Sequence, residues 1–159
     1  MIFWGDRYNM EMKKKVLIVG YEPPPYHGVV RMTEILKNSK LLNAEFDVDV
    51  FYLKAVDNAD NRGKLSFENI FFNFENITRF SLRMFFHKYN LLYISIAQNN
   101  LGFLRDAFLV LIAKFFGVKV LTQYHAGDFL RNYNNKSRFL KAVIKYIYTK
   151  KIDTLLVLG

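Results

Sequence analysis

Residues 13–30, KKKVLIVGYEPPPYHGVV, constrain the chain more than any other stretch: a basic lead-in meets a short apolar run, a proline-locked turn, and a glycine that opens a helical pattern. Val16, Leu17, Ile18 and Val19 form the continuous apolar run of a strand buried on both faces. Pro23, Pro24 and Pro25 offer no N–H and hold φ near one value, so the strand must stop and the following loop is stiff. From there Val29, Met32, Ile35 and Leu36 recur at helical spacing, which predicts a helix starting at Gly28 with its free N–H groups turned toward the loop. Such a helix start favours an anion. The same turn also fits the first β-α junction of any α/β domain, with Gly28 serving tight packing. A dinucleotide fingerprint is missing, because Gly20 is followed by Tyr21, Glu22 and the prolines. A P-loop is disfavoured too, since no Gly-Lys-Ser or Gly-Lys-Thr follows Gly28.

Beyond this unit, strand and helix patterns alternate. Strands are expected at residues 15–21, 46–53, 91–96, 118–124 and 153–158, the second nearer a sheet edge because Asp47 and Asp49 alternate with Val48 and Val50. Ser66 is placed to cap a helix in which Phe67, Ile70, Phe71, Phe74, Ile77, Ser81 and Met84 trace one face. Leu104, Phe108, Leu111, Ile112 and Phe115 trace a face of the next, which ends at Gly117 in a position suited to a left-handed cap. A basic helix follows over residues 137–150. Alternation of this kind calls for an α/β fold with an open, mostly parallel, Rossmann-like sheet in the order 2-1-3-4-5 and helices on both faces. Residues 12–159 are read as one domain, preceded by an extension over 1–11 and interrupted by a surface loop at 54–63. Ending on a strand with no helix to cover it, the chain reads as the front part of a longer protein.

Composition narrows the partners. There are 23 Lys and Arg against 14 Asp and Glu, a formal charge of +9, which favours phosphate-bearing partners: nucleotide, nucleic acid or anionic membrane. Without cysteine there is no disulfide framework or thiolate chemistry, which fits a cytoplasmic setting. The longest apolar run, residues 107–113, is bounded by Asp106 and Lys114 and falls short of the roughly 20 residues a membrane span needs. The three histidines, His27, His87 and His125, lack ligand spacing, so no metal is expected.

In an open α/β sheet, ligands bind beyond the carboxyl ends of the strands where the strand order reverses. Three chain segments with unusual polar residues fall there: residues 22–28 with Tyr26, His27 and Gly28; Gln98, Asn99 and Asn100; and His125, Gly127 and Asp128. His125 ends an apolar strand and titrates near neutrality, so it reads as a cleft hydrogen-bonding group or as a buried histidine orienting the turn. Asp128 either anchors a hydroxyl-bearing ligand or caps a turn, and Gly127 permits a positive φ. Residues 130–151 carry seven basic and no acidic side chains beside an apolar face: a solvated surface helix, or, together with Arg79, Arg83 and Lys88, a contact for anionic lipid.

With the PPPYHG turn, the strand-end His125-Ala126-Gly127-Asp128 and the β-α order placed, residues 13–159 resemble the N-terminal domain of GT-B fold glycosyltransferases of the family 4 type. The resemblance implies transfer of a sugar from a nucleotide-sugar donor to an acceptor hydroxyl, glycan or lipid-linked, with retention and without a metal or cofactor. It implies donor-phosphate contact at Gly28, a catalytic role for His125, and an acceptor side formed by Tyr26, His27, Asn99, Asn100, Gly127 and Asp128. It further implies a second domain, with a paired-glutamate signature, that residues 1–159 do not supply. A non-catalytic α/β nucleotide- or nucleic-acid-binding module remains the alternative, although no RNP-like, helix-turn-helix or zinc-finger pattern appears.

Overall fold

The computed structural model describes residues 13–24, 26–54, 66–125 and 133–158. The expected 1–11 extension, most of the 54–63 loop, Gly127 and Asp128 lie outside these. Five strands, β1 (Lys14–Tyr21), β2 (Phe46–Leu53), β3 (Leu91–Ser95), β4 (Lys119–His125) and β5 (Thr154–Leu158), form one sheet in the order β2-β1-β3-β4-β5. All four pairings are parallel, with Ile18 beside both Val50 and Tyr93 and Ser95 beside Gln123. The helices are α1 (Gly28–Lys37), α2 (Lys40–Glu45), α3 (Phe67–Phe86), α4 (Asn100–Phe115) and α5 (Arg138–Lys150). The expected fold class and strand order are therefore present, with β2 at an edge.

Local chemistry sets the helix ends. Ser66 Oγ accepts the Asn69 N–H at 3.2 Å, Asn99 Oδ1 the Gly102 N–H at 2.7 Å, and Ser137 Oγ the Leu140 N–H at 3.3 Å, each satisfying an amide that the helix leaves free. Gly117 has φ +74° and follows α4 as expected; its N–H reaches the Lys114 carbonyl while the Val118 N–H reaches Ala113. The short helix α2, capped by Ser39, occupies a stretch where no helix was expected. At six residues it shows too little periodicity to be read from sequence.

Alternation along the strands separates two layers. Leu17, Val19, Leu92, Ile94, Val118 and Val120 join Phe80, Met84, Phe103, Val110 and Ile147 in the core beneath α3, α4 and α5. Gly20 faces α1, where a Cβ would fall 2.2 Å from Thr33 Oγ1. Close approach of strand to helix is thus made at Gly20, while at Gly28 a Cβ would meet nothing within 4 Å. Among the described residues, nothing packs where a side chain at position 28 would begin.

The helix faces differ from those the periodicity picked out. In α3 the buried residues are Asn69, Asn76, Phe80 and Met84, and Phe67, Phe71 and Phe74 point outward. In α4 the sheet receives Gly102, Ala107, Val110 and Ala113, and Phe108 and Phe115 are exposed. In α1 it is Val30 and Thr33 that are buried, with Ile35 outside. Helix α4 is apolar nearly all round and has no single stripe, whereas the buried faces of α1 and α3 carry Thr33, Asn69 and Asn76, which apolar periodicity alone does not pick out.

Candidate functional site

A cleft of about 280 Å³ opens at the carboxyl ends of β1 and β3, the point where the strand order reverses. Its walls come from five places in the chain. Tyr21 and His27 bracket the proline turn, Lys54 follows β2, Asn69, Phe72 and Asn73 belong to the first turns of α3, and Ala97, Gln98 and Asn99 form the β3–α4 turn. Leu101, Gly102 and Arg105 contribute the start of α4.

Each wall is held by a specific bond. Asn76, fully buried, uses its side-chain amide to bind both polar groups of the Lys54 backbone: the Lys54 N–H donates to Oδ1 at 2.9 Å, and Nδ2 donates to the Lys54 carbonyl at 2.8 Å. This fixes the chain where it leaves β2. Lys54 Nζ in turn pairs with Glu75 at 2.5 Å. On the opposite wall Asp106, 1% exposed, accepts the Ala97 N–H at 2.8 Å through Oδ2 and Arg105 through Oδ1 at 2.8 Å. The neighbouring side chains Arg105 and Asp106 thus form a buried ion pair that ties α4 to the turn after β3, and Arg105 also lies over the Tyr21 ring at 5.7 Å. Burial pushes the Asp106 carboxyl upward against the pull of the Arg105 charge, whereas the same pairing holds Arg105 firmly cationic. The His27 and Tyr21 rings, both lining the cleft, meet edge to face with centroids 5.8 Å apart.

Two consequences follow for a ligand. Both lining cations already have a carboxylate behind the wall, so the cleft offers little uncompensated charge. What it presents instead is amide chemistry from Asn69, Asn73, Gln98 and Asn99 beside the rings of Phe72 and Tyr21. Primary amides donate and accept, which matches hydroxyl groups.

Of the residues expected from the sequence, His27 and Asn99 line this cleft. Gly28 stands next to His27 at the start of α1, whose N-cap His27 makes no side-chain cap bond. Tyr26 is 70% exposed and outside the lining. Asn100 is also outside it: its Oδ1 accepts from Lys136 Nζ at 2.5 Å, and Lys136 donates as well to the Gln98 carbonyl at 3.0 Å. His125 is the last residue of β4, two beyond the Ser95–Gln123 pair, at the carboxyl end of the parallel strands where the cleft also opens. Lys54, Asn69, Asn73 and Arg105 were not anticipated. Arg105 stands in an otherwise mostly apolar helix, a signal the sequence did offer, whereas Lys54 follows β2 and Asn69 and Asn73 are two of several polar residues of α3, with nothing local to single them out. Among the described residues no group of three His, Asp or Glu is arranged to hold a metal ion.

No protein-family model matches this chain, no curated protein matches it, and no solved structure matches it.

Proposed function

We propose that this chain is the acceptor-side part of a glycosyltransferase, in which the cleft at the β1–β3 switch point holds a hydroxyl-rich acceptor and the start of α1 receives the diphosphate of a nucleotide-sugar donor. The observation that carries this reading is the cleft lining: four amides and two aromatic rings, with each cation already paired. Such a lining suits a neutral ligand with many hydroxyls better than a free phosphate. Among the described residues nothing stands within 4 Å of a Cβ at Gly28, and the His27 side chain makes no cap bond, which supports a separate place for negative charge at the start of α1.

In this reading the acceptor oxygen bonds to the anomeric carbon of the donor sugar as the bond to the nucleoside diphosphate breaks, and the hydroxyl proton passes to the departing diphosphate. The protein contributes positioning and charge stabilisation. In keeping with the family resemblance, His125 is assigned a hydrogen bond to the transferring sugar, and Tyr26 and Asp128 are assigned to the acceptor. The rest of the donor site belongs to a second domain.

The test is ligand-observed NMR on the chain with neutral oligosaccharides, nucleoside diphosphates and nucleotide sugars. Oligosaccharide signals should respond, and Asn73→Leu should abolish that response while Gly28→Leu removes only the response to diphosphates. Saccharide binding that is absent, or indifferent to Asn73→Leu, would defeat the proposal. RNA affinity falling steeply with salt, with no response to sugars, would favour a nucleic-acid module instead.

A further inference from the structure

Helix α4 presents almost no charge to its surroundings. Its adjacent charges, Arg105 and Asp106, are buried, and the one other charge on it, Lys114, is tied to Asp153 at 2.9 Å. Its outward face carries Phe108, 52% exposed, and Phe115, 86% exposed. Beside it on the same side of the sheet, α3 exposes Phe71, Phe74 and Phe85, each about two-thirds or more. Between the two helices runs a groove of about 480 Å³ whose walls are almost wholly apolar. A contiguous apolar surface across two helices marks a place that something else covers.

We propose that the outward faces of α3 and α4 seat on an anionic lipid bilayer, their phenylalanines entering the acyl boundary while α5 meets the headgroups. Charge decides the occupant. Packed beside α4, α5 carries Arg138, Lys141, Lys145 and Lys150 and no acidic residue, with Arg138, Lys145 and Lys150 exposed. An apolar face flanked by an acid-free basic helix matches the boundary between acyl chains and anionic headgroups. A second copy fits poorly, because pairing these faces would bring together two chains of formal charge +9 with their basic helices side by side. Arg79 and Arg83 take no part: Arg79 donates to the Tyr52 carbonyl and Arg83 is bonded to Asp49 and Tyr89, so both turn to β2. Among the described residues no helix is long and apolar enough to cross a membrane, so the contact is a seat on one leaflet. The surface is separate from the cleft lining apart from the helices they share, and the inference is independent of what the cleft binds.

Flotation of the chain with vesicles of phosphatidylcholine alone, and of phosphatidylcholine mixed with phosphatidylglycerol, tests it. The chain should float with the anionic vesicles only. Both Phe108→Ser with Phe115→Ser and Lys145→Glu with Lys150→Glu should weaken that binding by about tenfold or more. All four positions are exposed, and an unchanged circular dichroism spectrum confirms that the variants fold. Equal binding to neutral and anionic vesicles would overturn the proposal. So would anionic binding untouched by the phenylalanine changes, which is plain adsorption of a basic chain, or a dimer in sedimentation that those same changes dissociate.

Discussion

Asn76, on α3, closes two hydrogen bonds with the backbone of Lys54, one to its N–H and one to its carbonyl, so a single buried side chain sets where β2 ends and how one wall of the cleft stands. Replacing it with Ala leaves both groups without that partner. Stability should fall by about 2 kcal/mol, the scale of buried backbone groups losing their bonds. Asn76→Asp keeps the acceptor for the N–H but sets a carboxylate against the carbonyl, and should be no better than Ala. Urea denaturation measures both, and a loss within experimental error for Asn76→Ala would show that water replaces the amide without cost.

The glycines of the first β-α unit should separate cleanly. Gly20→Ala places a Cβ 2.2 Å from Thr33 Oγ1 and 2.6 Å from Thr33 Cγ2, against a side chain that is 1% exposed and has little room to yield. A destabilisation of about 1 to 3 kcal/mol is expected, partly recovered by adding Thr33→Ala. Gly28→Ala meets open space and should leave stability within about 0.5 kcal/mol of the parent. Thermal unfolding of the three variants distinguishes these outcomes.

Breaking the buried ion pair should cost more than removing it. Asp106→Asn leaves the Arg105 guanidinium, 6% exposed, without its carboxylate, and a loss of about 3 to 5 kcal/mol is expected. Adding Arg105→Met removes the stranded charge, while the amide oxygen introduced at position 106 can still accept the Ala97 N–H. The double variant should therefore be more stable than Asp106→Asn alone, as measured by urea denaturation. If it is less stable, Arg105 contributes chiefly through packing on Tyr21.

Stability should fall at both ends of the pH scale for identifiable reasons. Burial would raise the Asp49 carboxyl, but hydrogen bonds from Arg83 and Tyr89 outweigh it and hold the group below its ordinary 3.8. A carboxylate depressed in the folded state contributes stability above its unfolded pKa and loses it as pH falls through the lowered value. At the other end, burial pushes the Tyr89 hydroxyl up to about 12, with Asp49 adding to the shift, and burial alone pushes Tyr93 to about 12. Both favour the protonated form in the folded state, so stability is full below about pH 10 and is lost as pH rises through 12. Asp49→Asn should flatten the acid limb, and Tyr93→Phe the alkaline one, in denaturation followed across pH.

Much of the architecture was written in local signals. Prolines ended β1, Ser66 and Gly117 marked helix boundaries, and β-α alternation with right-handed crossovers called for a parallel sheet, in which the expected order 2-1-3-4-5 put the cleft between β1 and β3. Chemistry that depends on one residue's own backbone, or on strict order along the chain, is legible before folding. Phase and partnership are not. The leucines of α4 announce a helix, but with apolar residues on nearly every side the period cannot say which face the sheet will take, and in α3 the buried face carries Asn69 and Asn76 while Phe67, Phe71 and Phe74 lie outside. Packing decided it: Gly102, Phe103, Ala107, Leu109, Val110 and Ala113 of α4 were buried, and Phe108 and Phe115 were turned outward. The grouping of Lys54, Asn69, Asn73 and Arg105 in one cleft was hidden for a related reason. They lie far apart along the chain and acquire a common surface only when β2, α3 and α4 are brought to one end of the sheet by long-range pairing, which no local pattern encodes.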